Sequence, residues 1–386
     1  MKIALGMIIR SLDSDMELMG FIENAEKFGH KLDCVIVAYT HQHDPEIERK
    51  ISDKIPFYAV DIKNPQYSRE KMRHLGISDE TARVLLECPV DTRGGLVPYG
   101  FNRMMVVMEA ILRGIDTLFF VDSDVYSKVL KRDADGQIFE EEVDFFGAHL
   151  EHLNSGSEVT TGEYSGYNIL PHASFDGMDA FLAGVQKSNM LEYWSTSESH
   201  RCLVVQADNV EAAPCKKILG GNMAMKLSTF AKLPPFFSSY YMHDGELFLC
   251  RGEDTVLGQE IAQGGITCMD IGLNPLHDTY KEYPKEPDLQ GDVMVQSRFY
   301  FACTGWVGRN PFFNHILGND IRATREYQRE NLERGLRALA DYTSNPKFIG
   351  VINNFDASWN SLGRYINEFE CVTEAWQKFM ERVNIQ

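Results

Sequence analysis

The chain has 386 residues, 44% hydrophobic and 24% charged, which is typical of a globular protein with one large or two smaller domains. Its formal net charge of −18 argues against general binding to nucleic acid or to anionic membrane surfaces, because both are negatively charged. No apolar run approaches the roughly 18 residues of a transmembrane helix, and the N-terminal run is too short for a secretory signal. The eight cysteines show no zinc or CxxC spacing, which favours free thiols and a cytoplasmic location.

The first 125 residues alternate between apolar runs and helical patterns. Apolar runs predict strands over 2–9, 32–40, 55–62 and 117–122. Apolar residues at helical spacing predict helices within 18–28, 80–87 and 104–112. Continuous apolar strands joined by helices predict a parallel α/β sheet that is covered on both faces.

The second half of the chain is less regular. The sequence predicts a strand over 142–153, helices over 178–194 and from Glu253 onward, and two charged amphipathic helices over 321–345 and 356–384. We therefore expect an α/β unit over 1–285, with one half at about 1–125 and another at about 140–285. A mainly helical C-terminal extension is expected over 286–386.

The stretch "TLFFVDSD" places two aspartates at the end of an apolar strand. Residues i and i+2 of a strand point the same way, so Asp122 and Asp124 are expected to converge beyond the strand end. Ligands of open α/β sheets bind there, and two carboxylates suit Mg²⁺ or Mn²⁺. Two alternatives are a polar strand end and the aspartyl nucleophile of phosphatases, which Tyr126 at the fifth position of the motif disfavours.

Further motifs follow the aspartate pair in a definite order. "GGNMAMK" covers 220–226, "GEDTVLGQEI" covers 252–261, and "NPLH" ends at His277. This series, over about residues 1–280, resembles glycosyltransferases of the GT-A fold. The resemblance implies a Rossmann-like, mixed but mainly parallel sheet flanked by helices. It also implies a metal-dependent hexosyltransferase that moves a sugar from a UDP- or GDP-sugar to a hydroxyl acceptor.

The resemblance also implies roles for individual residues. Asp122, Asp124 and His277 would hold Mn²⁺ or Mg²⁺ on the diphosphate of the donor. Asp254, with Glu253 beside it, would act as general base or bind the acceptor. Acidic residues also stabilise the N-terminus of a helix, so Glu253 and Asp254 could instead serve only to stabilise a helix start.

Other contacts to donor and acceptor are implied more generally. Gly221 and Asn222 would lie against the acceptor, where small residues allow close approach of the backbone. Ser123 of the aspartate motif would contact the nucleotide. Residues at strand ends and on the helix before the motif would contact it as well: Arg10, Ser11, Thr40, Asp61 and Arg103.

Two other functions remain open. A nucleotidyltransferase that makes sugar nucleotides should carry a Gly-rich loop after the first strand, but "MIIRSLDSD" stands there. A non-catalytic scaffold with the same fold would bind nucleotide without metal dependence. The C-terminal helices are expected to pack on the α/β unit or to form a homodimer.

Overall fold

The alternation of strands and helices expected near the N-terminus is present in the computed structural model, which describes residues 1–92, 96–191, 203–208 and 210–383. The strands are β1 (Ile3–Leu12), β2 (Cys34–His43), β3 (Phe57–Asp61) and β4 (Thr117–Asp122). The helices are α1 (Met16–Phe28), α2 (Pro45–Ser52), α3 (Gln66–His74), α4 (Asp79–Leu86) and α5 (Tyr99–Leu112).

The strands of the second half extend this sheet and add smaller ones. They are β5 (Val125–Arg132), β6 (Ile138–Glu142), β7 (Val159–Thr161), β8 (Gly166–Tyr167), β9 (Leu203–Val204), β10 (Ala213–Pro214), β11 (Asn222–Lys226), β12 (Tyr240–His243), β13 (Glu246–Leu249), β14 (Cys268–Asp270) and β15 (Pro275–His277). The large sheet has eight strands in the order β10-β14-β7-β11-β4-β1-β2-β3. β11 is antiparallel to β4 and β7, and β10 is antiparallel to β14. The other pairs are parallel. The expected mixed, mainly parallel sheet flanked by helices is confirmed.

The described helices of the second half include one where a strand was predicted. They are α6 (Phe145–Asn154), α7 (Met178–Gly184), α8 (Glu253–Gln263), α9 (Val293–Ile316), α10 (Ile321–Thr343), α11 (Val351–Asn360) and α12 (Leu362–Val383). The strand predicted over 142–153 is wrong, because α6 occupies most of that range. The Asp144 carboxylate accepts a hydrogen bond from the Gly147 N–H at 2.8 Å and caps this helix.

Two other predicted helices have different bounds. α7 ends at Gly184, and residues 192–194 of the predicted helix lie outside the described residues. The helix predicted over 356–384 is two helices, α11 and α12, which meet at Ser361.

The C-terminal helices do not form a separate layer throughout. A cluster of apolar residues from α7, α9, α10 and α11 forms its own core. Ala375, Trp376, Phe379 and Met380 of α12, however, pack into the core between α4, α5 and the large sheet. The helical extension is therefore confirmed, and α12 buries its apolar face within its own chain. No helix in the described part of the chain combines the length and apolarity needed to cross a membrane.

His149 of α6 is fully buried and joins the helix to the sheet. Its Nε2–H donates to Asn222 Oδ1 at 3.2 Å, and its Nδ1 lies 2.8 Å from Thr160 Oγ1. Burial lowers the pKa of the imidazole to about 3, although the hydrogen bond to Asn222 acts in the opposite direction. Between this pKa and the ordinary pKa of 6.5, the histidine is therefore neutral in the folded chain and protonated in the unfolded chain.

This histidine predicts sensitivity of the fold to acid. Below the ordinary pKa of 6.5, the unfolded state binds one more proton than the folded state, so stability falls with pH. We expect His149 to lower the free energy of unfolding by about 1.4 kcal/mol per pH unit between about pH 6 and 4. The free energy of unfolding, measured with urea at several pH values in this range, should fall less steeply with decreasing pH for His149→Gln. The exposed His41→Gln control should keep the slope of the wild type, and equal slopes in all three proteins would contradict the prediction.

Candidate active site

The two predicted aspartates lie at the carboxyl end of the parallel strands. Asp122 is the last residue of β4 and pairs in register with Ile8 of β1. Ser123 and Asp124 form the turn that connects β4 to β5. The aspartate pair therefore stands at the sheet edge where α/β proteins bind ligands.

Arg103 of α5 connects three distant parts of the chain at this edge. Its Nη2 lies 2.6 Å from Asp122 Oδ1, its Nε lies 2.9 Å from Glu253 Oε1, and its Nη1 donates to the Gly220 carbonyl at 2.7 Å. Only 2% of the residue is exposed. Burial alone would lower the pKa of the guanidinium, but Asp122 and Glu253 outweigh it and raise the pKa. Arg103 is thus a buried, permanently charged link between the predicted donor and acceptor motifs.

The Gly220-Gly221 pair is needed because other groups approach its backbone closely. The Gly220 N–H donates to Asp254 Oδ2 at 3.1 Å, and the Gly221 N–H donates to the Tyr164 hydroxyl at 2.9 Å. A Cβ at Gly221 would lie 2.5 Å from Asp122 Oδ2 and 2.6 Å from the Tyr164 hydroxyl. The glycines therefore let this loop sit directly against the aspartate.

Glu253 and Asp254 open α8, as the acidic helix start predicts, but their surroundings differ. Glu253 is 6% exposed and is committed to Arg103. Burial and the nearby Asp254 raise the pKa of Glu253, while Arg103 opposes both. Asp254 is half-buried, and its Oδ1 accepts from the Thr255 N–H at 2.6 Å. Asp254 is thus the more exposed member of the pair, and Glu253 anchors Arg103.

Asp124 lies in a second group of charges. Its Oδ1 is 3.1 Å from His277 Nε2, and its Oδ2 is 3.0 Å from Arg298 Nη2 of α9. Burial raises the pKa of Asp124, but His277 and Arg298 outweigh this and lower it to about 2. Burial lowers the pKa of His277, yet the Asp124 carboxylate beside it raises the pKa overall. Asp124 is therefore held ionised.

The three predicted metal ligands are only partly brought together. Asp124 and His277 present their ligand atoms about 3 Å apart, as neighbouring ligands of an octahedral Mg²⁺ or Mn²⁺ do. Asp122 is instead paired with Arg103, and no three His, Cys, Asp or Glu side chains of the described chain form a metal-binding group. Such ions commonly take one or two protein carboxylates and complete their shell with phosphate oxygens and water. Asp124 and His277 could therefore supply two ligands of such an ion.

The other residues predicted to contact the donor are spread along the same edge of the sheet. Asp61 ends β3, and its Oδ1 accepts from the Lys63 N–H at 2.9 Å. Arg10 is exposed and Ser11 is half-buried near the end of β1. Thr40 is 1% exposed, and its hydroxyl donates to the Arg10 carbonyl. Thr40 therefore supports the strand ends and has little surface for a ligand.

The expected contact between Asn222 and an acceptor does not fit the structure. Its amide nitrogen donates to the carbonyls of Glu163 and Leu273, both at 2.8 Å, and its oxygen faces His149. No part of Asn222 is exposed. The side chain stabilises the core between β11 and α6, and Gly220 and Gly221 are the residues of this motif that reach the site.

The C-terminal region also contributes to the site, which no motif of the sequence predicted. Arg298 and Arg309 lie about three turns apart on α9, so they share one face of that helix. Burial lowers the pKa of Arg309 to about 10, with Asp254 as the main opposing charge. Burial and Arg309 lower the pKa of Lys187 to about 7, and Asp254 opposes them. The spacing of the two arginines is a sequence signal that they lie on one face of α9.

Comparisons with known proteins add a distant likeness to solved structures. No family model matches the chain, and no curated protein matches it significantly. Glucosyl-3-phosphoglycerate synthase from Mycobacterium tuberculosis, in complex with Mn²⁺, uridine diphosphate and phosphoglyceric acid, is 12% identical; the match covers 79% of this chain and 78% of that chain, with a TM-score of 0.38. Another structure of that enzyme is 13% identical over 79% and 80% of the two chains, with a TM-score of 0.37. The likeness is distant, and the fold and site described above rest on this chain's own residues.

Proposed function

We propose that the protein is a glycosyltransferase that moves a sugar from a nucleoside diphosphate-sugar to a hydroxyl acceptor. The observation that carries this proposal is the meeting of Asp122, Gly220 and Glu253 on one buried arginine, Arg103. This meeting joins the end of a parallel strand, a glycine loop and an acidic helix start at the ligand-binding edge of the sheet. The order of these motifs along the chain, which resembles GT-A glycosyltransferases, supports the same function.

The donor side of the proposed site contains the aspartate motif. Asp124 and His277, with Asp122 beside them, would hold Mn²⁺ or Mg²⁺ against the diphosphate, and Asp61, Arg10 and Ser11 would lie along the nucleotide. When bound, such an ion neutralises the charge that develops on the departing diphosphate. Arg298 adds a cation at Asp124 Oδ2 and orients that carboxylate. Arg103 fixes Asp122 at the end of β4, so that the motif keeps one geometry.

The acceptor side of the proposed site contains Asp254. The Gly220 N–H holds its Oδ2 and the Thr255 N–H holds its Oδ1, so the carboxylate has a fixed orientation. In the proposed reaction a bond forms between the acceptor oxygen and the anomeric carbon while the bond from that carbon to the diphosphate breaks. The hydroxyl proton passes to Asp254, which acts as general base.

A donor screen tests the proposal. The purified chain would be incubated with UDP- and GDP-sugars, with Mn²⁺ or Mg²⁺ and simple hydroxyl acceptors, and release of nucleoside diphosphate would be measured. We expect metal-dependent release that Asp124→Asn lowers by about 100-fold or more, because several kcal/mol of charge stabilisation is lost. Asp135→Asn, in the exposed turn between β5 and β6, is the matched control and should keep full activity.

Other outcomes of this screen favour the alternatives. Synthesis of a sugar nucleotide from a sugar phosphate and a nucleoside triphosphate would favour a nucleotidyltransferase. Nucleotide binding without turnover of any donor would favour a non-catalytic scaffold. Full metal-dependent turnover by Asp124→Asn would show that the aspartate motif does not serve the donor.

Gly221→Ala is expected to impair turnover more than folding. The new Cβ would overlap Asp122 Oδ2 and the Tyr164 hydroxyl, so the loop or the aspartate must shift. A shift of about 1 Å at a reacting centre costs about 100-fold in rate. Steady-state rates and urea unfolding would be measured together. Gly20→Ala in α1 is the control, because a Cβ there meets nothing within 4 Å and should leave the rate unchanged. Unimpaired turnover by Gly221→Ala would contradict this prediction.

A further inference from the structure

Cys215 and Cys268 lie opposite each other at the edge of the large sheet. In the antiparallel pair β10–β14, Ala213 is opposite Asp270 and Pro214 is opposite Met269, so the next position along places Cys215 opposite Cys268. The Cys215 N–H donates to the Cys268 carbonyl at 3.0 Å, which confirms this register. The two Sγ atoms are 3.2 Å apart. Two thiols from different strands thus meet in direct contact.

The backbone geometry at this pair suits a disulfide. Directly opposite residues of antiparallel strands have Cα atoms about 4.5–5.5 Å apart, and disulfides span about 4.4–6.8 Å between Cα atoms. A bonded pair of sulfurs is about 2.05 Å apart, so closing the bond requires an approach of about 1 Å. Side-chain rotation with small shifts of the edge strand β10 supplies that approach without breaking the sheet.

The two thiols differ in reactivity in a way that assigns them different roles. Cys215 is partly exposed, and a hydrogen bond with Cys268 lowers its pKa despite the opposing effect of burial. Cys268 is 5% exposed, and the same hydrogen bond together with burial raises its pKa. The thiolate is the reactive form of cysteine, so Cys215 is the side chain that an oxidant meets first.

The other described cysteines lack this combination. Burial raises the pKa of the thiols of Cys34, Cys250 and Cys303, and all three are buried. Cys88 is partly exposed, but burial raises the pKa of its thiol as well. Cys371 on α12 is exposed, but no second described cysteine is recorded in contact with it. It therefore serves as an internal standard for an exposed thiol without a neighbour.

We propose that Cys215 and Cys268 form a redox-active dithiol that a peroxide closes to a disulfide. The Cys215 thiolate attacks one peroxide oxygen, the O–O bond breaks, and the sulfur becomes a sulfenic acid while hydroxide leaves and takes a proton. The Cys268 sulfur then attacks the sulfenic sulfur, and its proton leaves with the departing hydroxide as a second water. Two thiols are oxidised by two electrons, and one peroxide is reduced to two waters.

The disulfide would link two segments that both lead to the candidate site. Cys215 precedes the loop that ends at Gly220 and Gly221, and Cys268 lies in β14, which precedes the segment to His277. The bond would close a loop between residues 53 positions apart. Closing a loop of this length restricts the unfolded chain, so the oxidised protein is expected to have a higher Tm than the reduced one. This proposal does not depend on the function proposed above.

Peptide mapping of the folded, full-length protein tests the proposal. The reduced protein would be treated with hydrogen peroxide, free thiols would be alkylated, and the digest would be analysed by mass spectrometry without reduction. We expect a linked peptide that contains Cys215 and Cys268, with loss of alkylation at both. The linkage and the rise in Tm should both disappear after treatment with a thiol reductant.

Single variants make the test specific. Cys268→Ser should give no linked peptide and should leave a sulfenic acid at Cys215 that dimedone labels. Cys371→Ser is the matched control and should form the linked peptide as the wild type does. The proposal is overturned if Cys215 and Cys268 remain alkylated under peroxide that oxidises Cys371. It is equally overturned if Cys215 is found bonded to a different cysteine.

Discussion

Replacing Arg103 by methionine is expected to destabilise the folded protein by about 3–5 kcal/mol, the usual cost of removing one partner from a buried ion pair. Arg103 is 2% exposed and Glu253 is 6% exposed, so the substitution leaves a buried carboxylate without its positive partner. It also removes the donor to the Gly220 carbonyl. Urea unfolding would measure the loss as a lower midpoint at an unchanged slope.

Two further variants separate the charge effect from a general effect of the substitution. Arg322→Met removes an exposed ion pair between Arg322 and Glu326, one turn apart on the same helix. Little change in stability is expected, because exposed ion pairs contribute little. Glu253→Gln in the Arg103→Met background should recover part of the loss, because it removes the stranded charge. An Arg103→Met protein that unfolds at the wild-type urea concentration would show that Arg103 is not a structural link.

Local patterns were enough to predict the parts of the site that depend on neighbouring residues. The apolar run of β4 predicts that Asp122 ends a strand, and strand periodicity places the aspartate motif at its carboxyl end. The acidic start of α8 likewise predicts the position of Asp254. The alternation of the first 125 residues predicts four of the eight strands of the large sheet.

The parts that the sequence did not predict depend on contacts between distant residues. Arg298 reaches Asp124 across 174 positions, and no local pattern encodes such a pair. Asn222 was assigned to the site, but neighbouring residues of a strand face opposite ways and the pairing of β11 turns Asn222 inward. The apolar face of α12 is readable from its periodicity, yet its partner is not. Trp376 could equally have met a second chain, and it packs instead beside Phe230 of its own chain.

α6 shows the limit of periodicity for a short apolar segment. The run from Phe145 to Leu153 contains too few polar residues to separate a buried strand from a buried helix. The helix forms because Asp144 caps it and because Phe145, His149 and Leu153 then share one buried face. On that face, the ring nitrogens of His149 lie within hydrogen-bond distance of Thr160 and Asn222.

Asp254→Asn is expected to lower the rate of sugar transfer by about 100- to 10,000-fold, which is the usual contribution of a general base. The amide cannot take the acceptor proton, although it keeps the size and nearly the shape of the carboxylate. Donor binding should change little, because the proposed donor contacts lie at Asp122, Asp124 and His277. The kcat for transfer and the affinity for nucleoside diphosphate, measured by calorimetry, would together test this separation.

The Asp254 carboxylate also accepts hydrogen bonds from backbone N–H groups, so the control for Asp254→Asn must weaken hydrogen bonds of the same kind away from the site. Asp288→Asn serves this purpose, because Asp288 Oδ1 accepts from the N–H groups of Gln290 and Gly291 at 2.9 and 3.0 Å in an exposed turn. The Asp288→Asn variant should transfer sugar as the wild type does.

If Asp254→Asn instead keeps kcat and raises only the KM for the acceptor, the carboxylate binds the acceptor and takes no proton. Because Asp254 accepts from Gly220 while Gly220 accepts from Arg103, unfolding of each variant must also be measured. A rate loss at unchanged stability then belongs to the chemistry of the carboxylate itself.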